Sequence, residues 1–437
     1  MPEKAPGSSS GSGSVPSARA YERLVGQLGA EVGARAAVSW AHAVALARHA
    51  TAHGLVSSAP PTDAEQTLKV LDLLAAAHPA LEDFADPQVV AARSAGLPVG
   101  SWQRASSFWD QVPLLDDQHR VDGYRIGDAY QALSAEARSA RALCQTPPWV
   151  AGLLLDLSLE PATDEVGPAR VRMIDPSCGT GHILLAAFHR VRTYRTRGRQ
   201  GGGWPSTPST LERALTAVHG VDLDPYAALL ARYRLLGCTA AILGTTVDRV
   251  PSSWPISVHC ADTLLDDREP LLLPGQYDAV VGNPPYITVR DPAVREEVRR
   301  RYPQVCHGKY SLALPFFARM TDLARPEGYI AQLTANSFMK REFGRKFIEE
   351  YLPALDLTWI VDTSGCYIPG HGTPTVILCH RNRAPVKDSV IAILGNRGEP
   401  GIPDDPARGL VWRAIEEEVH RRLSLQRLMS ALHFDTL

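Results

Sequence analysis

Seven cysteines in 437 residues, none in a C-x-x-C pair, give no framework for disulfide stapling and fit a reducing compartment, so the chain is expected in the cytoplasm. Neither sign of charge dominates. Lys and Arg number 45 against 47 Asp and Glu, the net charge is −2 and the pI is near 6.7, which argues against a surface coated for indiscriminate nucleic-acid binding. No apolar run approaches the length of a bilayer-spanning helix, and Met1-Pro2-Glu3-Lys4 opens no secretion signal, so no membrane partner is expected. Metal-ligand patterns are also lacking. Cys306-His307 and Cys379-His380 are adjacent pairs, which do not easily ligate one ion, so both read as packing and no metal is expected. With 45% hydrophobic and 21% charged residues the chain is globular, with room for about three domains.

The informative residues lie at four strand ends. The apolar run 277–282 (YDAVVG) is followed by Asn283-Pro284-Pro285-Tyr286. Both prolines have a fixed φ and no N–H, so this corner keeps its shape without a helix or ladder. The Asn283 side-chain carbonyl and the Pro284 main-chain carbonyl can point the same way and accept from an amino group with two hydrogens. Tyr286 offers a face for a planar ring. The plain alternative is a tight loop leaving a buried strand. The upstream context favours a site for a flat, NH2-bearing substrate such as adenine.

That context begins with 171–175 (VRMID), then Pro176-Ser177-Cys178-Gly179-Thr180-Gly181-His182, then the apolar run 183–188: a strand, a glycine turn and a helix. Gly179 and Gly181 permit a sharp bend and a close backbone approach to a ligand. Cys178 reads as a small filler rather than a nucleophile. A third strand ends in Asp222, after which Asp224-Pro225 reads as N-cap and first residue of a helix. Gly181 and Asp222 are 41 residues apart (222 − 181), against roughly 20 in a dinucleotide fold, and an Arg- and Gly-rich insertion at 193–209 accounts for the excess. The fourth strand, 256–261, ends in Asp262, well placed to accept from an adenine amino group. These ends follow the order of an open α/β sheet, whose ligands bind beyond the carboxyl ends of the strands.

Together these motifs resemble the S-adenosyl-L-methionine-dependent N6-adenine DNA methyltransferases in which the cofactor motif precedes Asn-Pro-Pro-Tyr. Residues 145–151 (QTPPWVA) resemble the segment that precedes the cofactor strand, and 329–338 (YIAQLTANSF) the strand and turn after the catalytic motif. Residues 309–312 (KYSL), 334–344 (TANSFMKREFG), 362–365 (DTSG) and 367–375 (YIPGHGTPT) are similar to the phage-growth-limitation (BREX type 2) methyltransferases. The likeness covers most of 126–420 and is more specific for the methyltransferase than for the defence system.

The resemblance implies an α/β fold, a Rossmann-like class I methyltransferase sheet with an N-terminal helical region. It implies that Thr146 and Pro147 border the cofactor, that the backbone of Gly179, Thr180 and Gly181 faces its methionine and ribose parts, that Pro176 and Ser177 belong to the same cofactor site, and that Asp175 lies near the methionine amine. Asp222 is to take the ribose hydroxyls and Asp262 the adenine amine. Asn283 and Pro284, stiffened by Pro285, are to hold the target amine, with Tyr286 stacked on the target ring and Tyr367 as a second stacking surface. Adenine N6 is a poor nucleophile because its lone pair is delocalised. Two carbonyl acceptors localise that pair and sit where positive charge develops, so no strong base is needed. The target atom is hidden in duplex DNA, so the base must be extruded.

Basic clusters occur at Arg190, Arg192, Arg195, Arg197 and Arg199, at Arg295, Arg299, Arg300 and Arg301, and at Lys340, Arg341, Arg345 and Lys346. Each singly reads as a solvated face. The latter two follow strand ends, where phosphate contacts by Arg299, Arg300, Arg301, Lys340 and Arg341 are favoured. The partners are then duplex DNA and other phage-defence subunits.

The organisation read from the chain is a disordered Gly/Ser/Pro-rich tail (1–16), a helical region (17–139), the methyltransferase domain (140–395) and a C-terminal helical tail (396–437). Within the helical region 22–52 and 64–77 are the clearest helices, and packing against the catalytic domain is its expected task, with DNA clamping as the alternative. A last helix is expected near 409–432. About 40 residues follow 395, too few for a separate DNA-reading module, so truncation, reading by the N-terminal helices or a partner, and lost specificity all stay open. Two rivals remain as well: methylation of a protein glutamine amide, and a non-catalytic DNA- or cofactor-binding subunit of a defence assembly.

Overall fold

The computed structural model describes residues 17–112, 123–134, 145–194, 207–370, 372–395 and 397–434, with side chains described as far as 426. The expected tail at 1–16, Arg195, Arg197 and Arg199, and the boundary near 139 lie outside the described residues.

Among the described residues eight strands form one sheet: β1 (Met173–Asp175), β2 (Val218–Asp222), β3 (Ser257–Cys260), β4 (Tyr277–Gly282), β5 (Ala324–Ala335), β6 (Asp356–Asp362), β7 (Thr375–Arg381) and β8 (Ile391–Ile393). Their order is β3-β2-β1-β4-β5-β7-β6-β8. The first five are mutually parallel, β7 runs antiparallel to both β5 and β6, and β8 pairs parallel to β6. Parallel strands need crossover helices, which cover both faces, and this is why β4 is buried at every position. Alternation then sorts side chains between two cores. Met173, Ala279, Val281 and Leu333 join one, while Ile174, Val280 and Ile330 join the other.

The first core does not stop at the sheet. It continues through the helix Pro225–Leu243 into the N-terminal helices, taking in Trp40, Phe84 and Trp109. Buried polar pairs lock the two regions together. His42 Nδ1 lies 2.8 Å from the Tyr226 hydroxyl, His49 Nδ1 lies 2.8 Å from that of Tyr233, and the Tyr130 hydroxyl donates to Asp224 at 2.7 Å. Burial pushes His42 down to about 4 and His49 to about 3, so both rings are neutral near pH 7.

Several expectations need amending. The run 22–52 is two helices, Ala18–Val32 and Ala34–Ala52, because Gly33 sits at φ 82° and breaks the hydrogen-bonded ladder. The helix Ala64–Ala77 stands where the sequence placed it, with Asp63 accepting from Gln66 N at 2.7 Å as its cap. β5 starts at Ala324, earlier than the run from Tyr329; Pro326 and Glu327 (φ 68°) lie within the strand, and its pairing with β4 shifts register there. Among the described residues one helix, Pro225–Leu243, is long and apolar enough to span a bilayer, contrary to the reading of the apolar runs. Its most apolar stretch is 78% buried inside the protein, between the sheet and the N-terminal helices. The last helix, Leu410–Phe434, docks through Trp412, Ile415 and Val419, and Trp412 meets Trp149 edge to face at 4.2 Å.

Candidate active site at the strand ends

β1 ends at Asp175, and the chain turns through Gly179 (φ 53°) and Gly181 (φ 87°) into the helix His182–Thr193. A Cβ on Gly181 would stand 3.0 Å from that of Ala231 and in a conformation disfavoured for L residues, so glycine is required there. Asp222, at the tip of β2, accepts from Gly179 N at 2.8 Å with one oxygen and from Asp224 N at 2.8 Å with the other. Asp224 in turn caps the helix Pro225–Leu243 through Tyr226 N. Asp262, past β3, accepts from Leu264 N and Leu265 N at 2.9 and 3.1 Å. The loop after it is pinned by Thr263, whose hydroxyl donates to the Pro176 carbonyl at 2.5 Å and whose carbonyl accepts from buried Arg319 at 3.0 Å.

Asp175 is buried and accepts from Ser177 N at 3.0 Å. Its burial pushes the carboxyl up to about 7, and the nearby charge of Asp222 adds to that rise, against hydrogen bonds from Ser177. A buried acid poised near neutrality gains most from a cation set beside it.

These strand ends surround a cavity of about 560 Å³, lined by Pro176, Ser177, Asp222 and Asp262 and, from the Asn-Pro-Pro-Tyr turn, by Pro285. Its size lies in the range of cofactor pockets, and two carboxylates at its rim suit a ligand with hydroxyl and amino donors. The residues present therefore fit S-adenosylmethionine. The Thr180 side chain is buried behind the turn, its hydroxyl accepting from Gln145 at 2.9 Å, and its carbonyl accepts from Arg234 at 2.7 Å, so both groups brace the turn. Gln145, Arg234 and Gly127, on which a Cβ would meet the Thr180 hydroxyl at 2.3 Å, are functional supports that the sequence reading missed. The available signal was a pair of arginines, Arg232 and Arg234, inside an otherwise apolar helix.

The Asn283-Pro284-Pro285-Tyr286 corner leaves β4 beside β1, where a Cβ on Gly282 would lie 3.3 Å from Asp175 Oδ1. Asn283 Nδ2 donates to Thr146 Oγ1 at 3.2 Å. The Tyr286 hydroxyl donates to Asn283 Oδ1, so Tyr286 folds back on the corner, where the sequence reading had that oxygen turned to substrate. Pro147 starts the turn into the helix Pro148–Asp156 that carries this wall.

The basic residues divide into two groups. Arg299 pairs with Glu296 and donates to Gly308 O at 3.0 Å; Arg300 pairs with Glu297 at 2.7 Å; Arg301 bridges Asp267 at 2.7 Å and Glu297 at 3.0 Å. Hydrogen bonds from Arg300 and Arg301 hold the Glu297 carboxyl down at about 2. These guanidiniums are thus engaged with carboxylates on or near their own helix, Pro292–Arg301, and a phosphate would compete with those partners for them. Lys340 and Arg341 stand exposed after β5, and Tyr367 is exposed in the loop between β6 and β7. Among the described residues no three His, Cys, Asp or Glu side chains gather as a metal site.

A sheet ordered 3-2-1-4-5-7-6 with an antiparallel β7, carrying a glycine turn and acid-tipped strands around one cavity, is the fold of the class I S-adenosylmethionine-dependent methyltransferases. Within that class, residues 216–367 match the family of Eco57I restriction-modification methylases. The chain is a homologue of the adenine-specific methyltransferase PglX of Streptomyces coelicolor, 40% identical over 370 residues, which cover 74% of this chain and 30% of that protein. It is 27% identical over 226 residues to the type II methyltransferase M.BstVI of Geobacillus stearothermophilus, covering 50% of this chain and 37% of the relative. The chain therefore spans about a third of the length of these curated relatives. Among solved structures, the Type IIL restriction-modification enzyme MmeI in complex with DNA shares the fold, with a TM-score of 0.57 at 14% identity over 89% of this chain and 60% of that one.

Proposed function

We propose that this chain transfers the methyl group of S-adenosylmethionine to N6 of an adenine extruded from duplex DNA, within a phage-defence system of restriction-modification type in the cytoplasm. One observation carries the proposal: Pro285 of the catalytic corner and the carboxylates of Asp222 and Asp262 line a single cavity, so a ligand held by the acids lies against the corner.

In this reading Asp222 takes ribose hydroxyls, Asp262 the cofactor's adenine amine, and Asp175 the methionine ammonium. Thr146, Pro147, Pro176, Ser177, Gly179 and Gly181 shape the pocket around them. The cofactor supplies an electrophilic methyl on a sulfonium. Asn283 Oδ1 and the Pro284 carbonyl accept the two hydrogens of the target amine and hold its lone pair in line, so orientation and fixed dipoles provide the rate. For the amine to be held, the Tyr286 hydroxyl withdraws from Asn283 and its ring stacks on the base, a contact worth roughly 1–3 kcal/mol. Lys340 and Arg341, and Arg299, Arg300 and Arg301 after exchanging partners, contact phosphates, with Tyr367 as a second stacking face. The region 17–139 serves as a buttress of the domain 140–395, and the tail 396–437 docks on it; other defence subunits are further partners.

Incubation with tritiated S-adenosylmethionine and unmethylated phage DNA tests the reading, with a glutamine peptide as the competing acceptor. Label in N6-methyladenine that vanishes with Asn283→Ala supports it. Label in the peptide alone, or undiminished transfer by the variant, overturns it.

A further inference from the structure

We infer that Thr146 is a positioning residue that decides which end of the Asn283 side chain meets the substrate; this rests on the methyltransferase reading above. A carboxamide has two ends of nearly equal size and opposite polarity. Only the oxygen can accept from an amine, and a flipped Asn283 would set two N–H donors against the donors of the target. Proline geometry fixes the main-chain carbonyl of Pro284 but does nothing for the torsion that selects the end of the Asn283 amide.

Thr146 is placed to favour one end: its Oγ1 accepts from Asn283 Nδ2 at 3.2 Å, and with Nδ2 on that side Oδ1 faces the other way. On that other side the group bonded to Oδ1 is the Tyr286 hydroxyl, a donor, as the target amine would be. Thr146 is itself held firmly. It is 4% exposed, its carbonyl accepts from the Tyr124 hydroxyl at 3.0 Å, and Pro147 (φ −58°) and Pro148 fix the chain that follows. Tyr124 packs edge to face on His182 at 4.0 Å, at the start of the helix that follows the glycine turn. The orientation of the amide thus depends on a wall anchored in the helices N-terminal to the sheet, remote in sequence from Asn283.

The test compares Thr146→Val with Thr146→Ser in the full chain. Three quantities are read: the S-adenosylmethionine dissociation constant by calorimetry, single-turnover methyl transfer to unmethylated duplex DNA, and the side-chain NH2 signals of protein labelled with 15N-asparagine. The sequence holds four asparagines, so four NH2 pairs appear, and Asn283→Ala identifies one of them. Thr146→Val is expected to slow transfer roughly 10- to 100-fold, the effect of taking its acceptor from a half-buried amide donor, with cofactor affinity within about threefold. The Asn283 NH2 pair should shift in the valine variant and return toward its original position in the serine variant, which regains most of the rate. Unchanged transfer by Thr146→Val, an unmoved NH2 pair, a serine variant as slow as valine, or a slowing that only follows weakened cofactor binding would each overturn the inference. Should the unaltered chain transfer nothing to DNA, the functional reading fails, and the NH2 signals still decide the orienting role.

Discussion

Around β1, β2 and β3 the carboxylates of Asp175, Asp222 and Asp262 each hold a backbone N–H of their own loop, and the turn they secure is backed by buried Arg234 and Arg319. Around 286–301 and 336–346 the charges sit on side chains that are mostly exposed, and Arg299, Arg300 and Arg301 bind mainly to carboxylates that are themselves exposed. The first arrangement is complete before a ligand arrives, so little ordering is left to oppose binding. The second consists of ion pairs that water and salt already weaken, which lets a guanidinium change partner at low cost. A small ligand thus meets a finished pocket, whereas a polyanion meets a surface that reorganises.

Four measurements can break or sharpen that contrast. Asn283→Ala, at the meeting point of the two halves, should cut methyl transfer by about 10²–10³-fold, as loss of one preorganised electrostatic partner does, while calorimetry shows cofactor binding preserved. Asp222→Ala removes the acceptor of Gly179 N and should weaken cofactor binding by roughly 10- to 100-fold, since hydrogen bonds to charged groups are worth about 1.5–3 kcal/mol. A value within twofold of the original would mean the turn needs no brace. The third concerns pH. Asp175, pushed up to about 7, is half protonated there when no ligand is bound, and a cationic ligand favours its ionised form. Cofactor affinity should therefore rise by about tenfold between pH 6 and pH 8 and flatten in Asp175→Asn. Because its folded value lies above its usual 3.8, the same carboxyl contributes stability that is lost as pH rises from about 4 to about 7, whereas neutral His42 and His49, pushed down, contribute stability lost as pH falls below about 6.5. Smallest of all, Lys340→Ala and Arg341→Ala should each lower the salt slope of DNA binding by about 1 without moving the melting temperature. An equal effect on cofactor affinity would dissolve the distinction between the halves.

The cofactor half was the more legible in sequence, and the reason is local. A buried strand ending in an acid and followed by glycines or Asp-Pro declares itself within about ten residues, which is how β1 and β2 were found. The order β5-β7-β6-β8 was not legible, because strand pairing across intervening loops leaves no short-range mark. Nor was the break at Gly33, where helix-forming residues on both sides conceal one glycine with positive φ. Glu296 and Glu297 stood three residues before Arg299 and Arg300, a spacing at which helical side chains meet, yet the cluster was read by its arginines alone.

The continuity of one apolar interior from Trp40 and Trp109 through the helix Pro225–Leu243 to Ala279 and Val281 has a practical corollary. A fragment cut to start at Gln145 would strip the cover from Tyr226 and Tyr233, leaving two buried phenols and an apolar helix face open to water. Such a piece should aggregate rather than act as a minimal catalyst. By the same coupling, ligand added at the strand ends should slow amide exchange as far away as Ala43 and Leu46.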